Sequence, residues 1–392
     1  MKDIHPPRDE HRTTGRKLVV LSPTVDIPAM TSALSAVGMD VVVASERGGA
    51  VPPETMATAD AIVFDRLHMM VVAEPSVAAL AVMNELQARG ILLSVEDEGF
   101  VYPLSAPGPA GQGDATWGLG AIGVEQSPFA GRGIRVAILA AGFDPSHPDF
   151  QGRKVVHRSF VPGETAQDAS GVGTHAAGIA CGPRTPSQGP RYGVAHEAEL
   201  YIAKVLSDQG SGADGWIMNG IHWALENGCR VLLLPLGSAR PPVEAYRAIG
   251  ERALAQGAIL VGVAGHGSHR ARGDIQPTGS PANVVTILAV GAVDSSLQVA
   301  DFSNGGKIDV VGPGVDVLSS WSLPRAYNTL SGTSAAAAHV AGVLALLMEA
   351  DPHASALEIW RRMLATARQL NAPASDVGSG LVQAPVSATT AP

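Results

Sequence analysis

Cysteine is nearly absent and aromatic residues are few. Two thiols in 392 residues, Cys181 and Cys229, exclude a disulfide framework and a cysteine-built metal cluster. Both sit in apolar stretches and read as inert core groups. No run of about 18 apolar residues is found, so no membrane-crossing segment is expected. The N-terminal stretch "MKDIHPPRDEHRTTGRK" has no apolar h-region, so no secretory signal is expected either. Basic residues number 27 against 36 acidic ones, a net charge of −9, and they are scattered. That excludes nucleic acid and anionic membrane as expected partners. What is present is apolar: 46% of the chain is hydrophobic and only 16% charged, enough for a large core. The length exceeds that of one ordinary domain. A soluble, cytoplasmic, two-domain protein without a cofactor is expected.

Residues 17–104 alternate short apolar runs with helical patterns. "KLVVLS" reads as a strand and "PAMTSALSAVG" as a helix opened by Pro28 and closed by Gly38. "DVVVAS" and "AIVFDRLHMMVVA" read as two further strands. "PSVAALAVMNELQARG" reads as a helix and "ILLSVEDEGFVYPL" as a last extended segment. The order βαββαβ predicts a small α+β, ferredoxin-like domain over 17–104, preceded by a flexible terminus at 1–16. A Pro/Gly-rich linker is expected at 105–116. From 117 to 386 the strands become continuous apolar runs: "IRVAILAAG", "LYIAKVL", "CRVLLLPLG", "AILVGVAG" and "VVTILAVGAV". Such strands are buried on both faces, which predicts a doubly wound α/β domain with a mainly parallel sheet. Its ligands bind beyond the carboxyl ends of the strands. Residues 387–392 read as a disordered tail.

The residues after those runs carry a pattern. "SGTSAAAAHVAGVLALL" resembles the serine motif of the subtilisin-like proteases, G-T-S-M-A-x-P-H-V-A-G. "VAILAAGFDPSHPDF" is similar to the family's aspartate strand and "DASGVGTHAAG" to its histidine helix. "AKVLSDQGSGADGWIMNGIHWA", "GSPANVVTILAVGAVD", "DFSNGG" and "VGPGVDVLSS" match further blocks in the family's order, so the resemblance covers roughly 117–386. The N-terminal unit is similar to the family's inhibitory prodomain.

The resemblance implies a subtilisin-like fold and a serine peptidase site. It places Ser334 at the nucleophile, Ala140 at the aspartate, Val172 at the histidine and His266 at the oxyanion asparagine. The flanks survive: Gly142, Asp144, His147, Pro148 and Asp149 around the first, Asp168, Gly171, Gly173, Thr174 and His175 around the second. Serine proteolysis needs a base and a carboxylate that orients it. Val172 accepts no proton and Ala140 orients nothing. Loss of the base alone lowers kcat by on the order of 10⁶-fold in enzymes of this kind. His175 and His339 match non-catalytic histidines of the family and His147 reads as a turn residue. His266 and His269 lack a third ligand at metal spacing, so no metal is expected. The substrate groove is implied at Gly210, Ser211 and Gly212 on one rim and Pro235, Leu236 and Gly237 on the other, where Pro235 lacks an N–H. The first expectation is therefore a pseudoprotease that holds a peptide, a partner protein or its own N-terminal domain, docked in cis. An enzyme of altered mechanism, a serine hydrolase or acyl-transfer catalyst using Ser334 with His266, is the second. A structural subunit is the third.

Overall fold

Two large sheets and a small one organise the chain, which a computed structural model describes over residues 13–104, 106–107 and 114–387. The first sheet takes β1 (Thr13–Leu21), β2 (Val41–Val43), β3 (Ala61–Phe64), β4 (Met69–Val72) and β5 (Leu92–Pro103) in the order β5-β1-β4-β3-β2. Helix α1 (Ile27–Ser35) opens where the Asp26 carboxylate accepts the Ala29 N–H at 3.0 Å. After α2 (Pro53–Thr58), α3 (Val77–Ala88) opens in the same way on Ser76, each cap satisfying a free N–H of the first turn. Met30, Leu34, Met83 and Leu86 bury one face of the sheet with Val19, Val63 and Val72. The other face, with Leu18, Val20, Phe64 and Val71, packs into a cluster shared with Ile217, Ile221 and Ile249 of the larger body.

This unit differs from the expected βαββαβ count. "DVVVAS" supplies only the three-residue edge strand β2, parallel to β3. "AIVFDRLHMMVVA" is not one strand but the antiparallel hairpin β3–β4. A 3₁₀ turn at Asp65–Leu67 and a left-handed His68 (φ 44°) reverse the chain there. The first strand also begins earlier than Lys17, since Thr13 pairs with Gly99. Residues 1–12 of the expected flexible terminus lie outside the described residues.

The second sheet is parallel throughout. It takes β7 (Arg135–Ala140), β8 (Val155–Ser159), β9 (Glu199–Lys204), β11 (Val231–Leu234), β13 (Ile259–Val263), β14 (Leu288–Val293) and β15 (Val310–Pro313), after the two-residue β6 (Ala106–Pro107) and before β16 (Val317–Ser320) and β17 (Tyr327–Ser331). The order is β15-β14-β13-β11-β7-β9-β8, with parallel pairing at each step. Two short strands stand outside it, β10 (Gly212–Ala213) and β12 (Leu236–Gly237). The helices are α4 (Trp117–Ala121), α5 (Val172–Cys181), α6 (Asp214–Glu226), α7 (Glu244–Ala255), α8 (Thr333–Ala350), α9 (Ala356–Thr366) and α10 (Ala374–Val377). This is the doubly wound α/β body that the continuous apolar runs predict.

Helix α8 corrects one reading of the sequence. It is 18 residues long and apolar enough, by length and composition, to cross a membrane. Yet 89% of it is buried, because α5 and the strands of the parallel sheet surround it with Ile, Val and Ala side chains. It is the central helix of the core. The expected linker is only partly a spacer: β6 pairs with β17 (Ala106 with Ser331, Pro107 with Leu330), and Asp114 and Thr116 exchange backbone bonds with Arg191. Residues 105 and 108–113 of that linker, and 388–392 of the expected tail, lie outside the described residues.

Candidate functional site

The carboxyl ends of the parallel strands and the N-termini of α5 and α8 converge on one place. Gly332, in extended backbone (φ 165°), delivers the chain into α8. Ser334 is therefore a first-turn residue, 4% exposed, and its hydroxyl donates to the Pro235 carbonyl at 3.2 Å. Thr333 is held at the same entry by the Gly265 N–H, 3.3 Å from its Oγ1.

Val172 is the first residue of α5. A single carboxylate shapes the turn before it. Asp168 accepts the N–H groups of Ser170, Gly171 and Thr174 and the hydroxyls of Ser170 and Thr174, at 2.8–3.1 Å. Gly171 is left-handed (φ 84°), and a Cβ there would stand 2.1 Å from the Trp321 indole. Trp321 thus covers the turn that positions residue 172, and the sequence motifs give no sign of it. Val172 and Ser334 line one cavity of about 10 Å³, together with His175, Ala176, Leu330 and Ala335.

Ala140 ends β7, fully buried, in the apolar cluster that also holds Ala176 and Ala335. Its carbonyl accepts from Val205 and Leu206. Its register partner, Lys204, is a buried cation that points past it. The ammonium donates to the Ala141 carbonyl (2.7 Å), the Gln167 carbonyl (3.2 Å) and the Asp208 carboxylate (2.6 Å).

His175 is the imidazole of the cavity lining. Its Nε2 bonds the Val317 carbonyl at 3.0 Å, and burial pushes its pKa down to about 4. The ring is a neutral group with its Nε2 engaged by the Val317 carbonyl. His339, on α8, is likewise pushed down to about 4 by burial and bonds the Ala335 carbonyl at 2.9 Å. His266 follows the left-handed Gly265 and sets its ring edge-on to Phe302, centroids 6.3 Å apart. It is not among the residues lining the Ser334 cavity.

The two rims assigned to the groove flank a strand of the N-terminal unit. Val101 pairs with Gly212 and Phe100 with Ala213 on one side. Pro103 pairs with Leu236 and Tyr102 with Gly237 on the other. Gly210 (φ 82°) and Ser211 form the turn that leads into β10, with Ser207 bonding across it. Pro235 contributes its carbonyl, the one that Ser334 meets. A Cβ at Gly237 would lie 2.9 Å from the Ser280 carbonyl, so the backbone approaches closely there. Leu104 is buried beside it.

Carboxylates of β5 fix this arrangement at two helix N-termini, where free N–H groups favour anions. Glu96 accepts from Glu244 and Ala245 at the start of α7, both at 3.0 Å. Glu98 accepts from Gly215 at the start of α6, 2.6 Å, and burial raises its pKa. Asp214, wholly buried, takes the Gly99 N–H (2.8 Å), the Arg240 guanidinium through both oxygens (2.9 and 2.8 Å) and the Tyr246 hydroxyl (2.7 Å).

Asp149, in the flank of the β7 motif, is saturated by donors: the Ser187 N–H (2.6 Å), and the hydroxyls of Ser187 (2.5 Å), Tyr192 (2.5 Å) and Tyr327 (3.0 Å). Those partners offer protons where a cation would require lone pairs. No group of three or more metal-ligating side chains occurs among the described residues.

A parallel sheet with this helix order and a serine at the entry of its central buried helix defines a subtilisin-like body. The family described as Peptidase_S8, the subtilase family, matches residues 131–380, and the chain belongs to it. Subtilisin E of Bacillus subtilis (strain 168) is 38% identical over 246 residues, 62% of this chain and 62% of its own length. Subtilisin of Bacillus pumilus is 37% identical over 258 residues, 65% of this chain and 90% of its own. Subtilisin Savinase of Lederbergia lenta is 38% identical over 276 residues, 68% of this chain and 96% of its own. The chain thus spans about 62% of the length of the first of these relatives.

Proposed function

We propose that the chain is a catalytically defective subtilase, a pseudoprotease that binds an extended peptide or protein segment in a retained groove, its own β5 being the resident occupant. One observation carries the reading. The cavity beside Ser334 is lined by Val172, His175, Ala176, Leu330 and Ala335, and its imidazole is bonded to a backbone carbonyl. An unassisted serine hydroxyl is a weak nucleophile, and among the described residues His175 is the one imidazole lining the cavity beside Ser334. Ala140 and Val172 are small and apolar together, so neither leaves a buried charge unpaired. The groove needs none of these groups, because its recognition is by main-chain pairing along two short strands, the β-augmentation mode of peptide binding.

The test uses a fluorophosphonate probe and a fluorescent peptide with the sequence of residues 99–104. The full chain should label no more than its Ser334→Ala variant. Charges at two buried positions, Val101→Asp with Leu104→Asp, should evict β5 and raise peptide binding. Adding Gly237→Val, which fills the close approach on the rim, should abolish it. Ser334-dependent labelling, or an evicted variant that takes no more peptide than the parent chain, overturns the reading.

A further inference from the structure

We propose that His222 makes the seating of the N-terminal unit, and with it the closure of the groove, acid-labile: a neutral imidazole walled into the seam, with no acceptor for a second proton among the described residues, opposes protonation as long as the seam is shut. The proposal rests on the reading of β5 as the groove's resident occupant and adds the condition under which it leaves.

The geometry is specific. His222 lies on the face of α6 turned to the N-terminal unit, where its ring meets Phe64, the last residue of β3, with centroids 5.8 Å apart and planes tilted by 50°. It is wholly buried, and neither ring nitrogen has a hydrogen-bond partner among the described residues. A buried polar group without a partner is costly even when neutral, and far more so when charged.

The charges facing it come from both bodies. Asp65 favours the imidazolium and Arg66 opposes it, both from the turn after β3. Arg66 is itself ion-paired with Glu226, one turn along α6. From α7, Arg252 crosses the same seam to the Leu21 carbonyl at 3.0 Å. At the far end of α6 stand Glu98 of β5 and Asp214 with Arg240. Burial outweighs the Asp65 contribution and pushes the His222 pKa down to about 4.

The sign follows from linkage. In the open seam the ring meets water and titrates at about 6.5. The open form therefore binds the extra proton between pH 6.5 and 4, and closure weakens as pH falls through that window. With those two values, opening should become about thirtyfold more favourable between pH 7.5 and 5.0. Glu98 acts the other way, because burial raises its pKa, so a closed seam holds its proton more readily. Comparing variants at His222 cancels that common contribution.

The experiment is hydrogen–deuterium exchange on the full chain at pH 7.5 and 5.0, corrected for intrinsic exchange rates. It reads amides of Phe100–Val101, Gly212–Ala213 and Asp65–His68 against those of β14 as an internal control. The wild-type chain should lose about thirtyfold more protection at the seam than its His222 variants do, while β14 reports the acid response of the whole fold. His222→Phe should flatten the response, as should His222→Gln, a smaller neutral replacement should the first not fold. Parallel loss in wild type and variants overturns the proposal, as does unchanged protection in wild type. A pH response that depends on His222, combined with no peptide uptake by the Val101→Asp, Leu104→Asp chain, would sustain the seam and sink the groove reading instead.

Discussion

Val172 and Ser334 line the same cavity of about 10 Å³. A branched aliphatic and a hydroxyl thus stand side by side, which on the proposed reading is where general-base chemistry would need an imidazole. If the proposed reading holds, casein or any unfolded protein should be turned over no faster by the wild-type chain than by Ser334→Ala. Turnover clearly above that control would show that a base reaches Ser334 by another route.

Restoring the groups tests the same relationship in reverse. Ala140→Asp and Val172→His together should place a carboxylate and an imidazole by Ser334, on flanks that Asp168 and Asp144 still organise. Neither change alone should suffice, because a buried Asp without its partner is costly and an unoriented His takes the wrong tautomer. Restoring the third position, His266→Asn, should add about 10²–10³-fold if it supplies an oxyanion donor. The readout is a chromogenic peptide assay, with Ser334→Ala added as the blocking control. A folded triple variant that neither cleaves nor reacts with a fluorophosphonate would show that Ser334 is misplaced for attack.

The linker should survive in the purified protein. The Leu104 side chain sits beside Gly237, and β6 runs alongside Ser331, three residues before Ser334. A competent serine there would meet its own chain. Intact-mass measurement should find one species of 40.1 kDa, with no Ser334-dependent cut between residues 104 and 116.

Asp214 is completely buried and bidentate with Arg240. Removing one partner of such a pair leaves an uncompensated charge. Arg240→Ala should cost about 3–5 kcal/mol in chemical denaturation, with the Gly99 and Tyr246 bonds to Asp214 left behind. A loss under 1 kcal/mol would mean that water or another cation replaces the guanidinium.

Acid should weaken the fold well above the carboxylate range. His175, His222 and His339 are each held neutral by burial with pKa pushed to about 4. The unfolded chain protonates them near 6.5, so stability is full above that value and falls as pH drops towards 4. Near pH 5 the slope should be roughly 2–4 kcal/mol per pH unit, the lower figure allowing for the opposite contribution of Glu98. Urea midpoints from pH 7.5 to 5 measure it. A flat profile would mean that these rings keep a path to water.

The parallel sheet was readable in advance because strands covered on both faces must be apolar throughout, and "VAILA", "YIA" and "VLLL" are. The turns that enter α5 and α8 were readable because Gly171, Gly332 and the anchor Asp168 mark them in the sequence, whatever side chains stand beside them. The β3–β4 hairpin was not, since one apolar run hides a reversal made by four residues, Asp65 to His68. Nor were β6 and the caps by Glu96 and Glu98. Each depends on a partner more than 100 residues away, and no local periodicity records that. Trp321 escaped for the same reason: its role is set by Gly171, which only the fold brings beneath it.

The threading of Phe100–Pro103 between β10 and β12 has a consequence for concentration. A tethered strand competes with outside peptides at an effective concentration in the millimolar range, set by chain length and not by how much protein is present. On the proposed reading, a peptide meets the groove only in the fraction of molecules that stand open, and its apparent Kd rises by the inverse of that fraction. A groove open about one time in a thousand turns a micromolar ligand into a millimolar one. For such a protein, selectivity lies as much in what loosens the resident strand as in the sequence of the visitor.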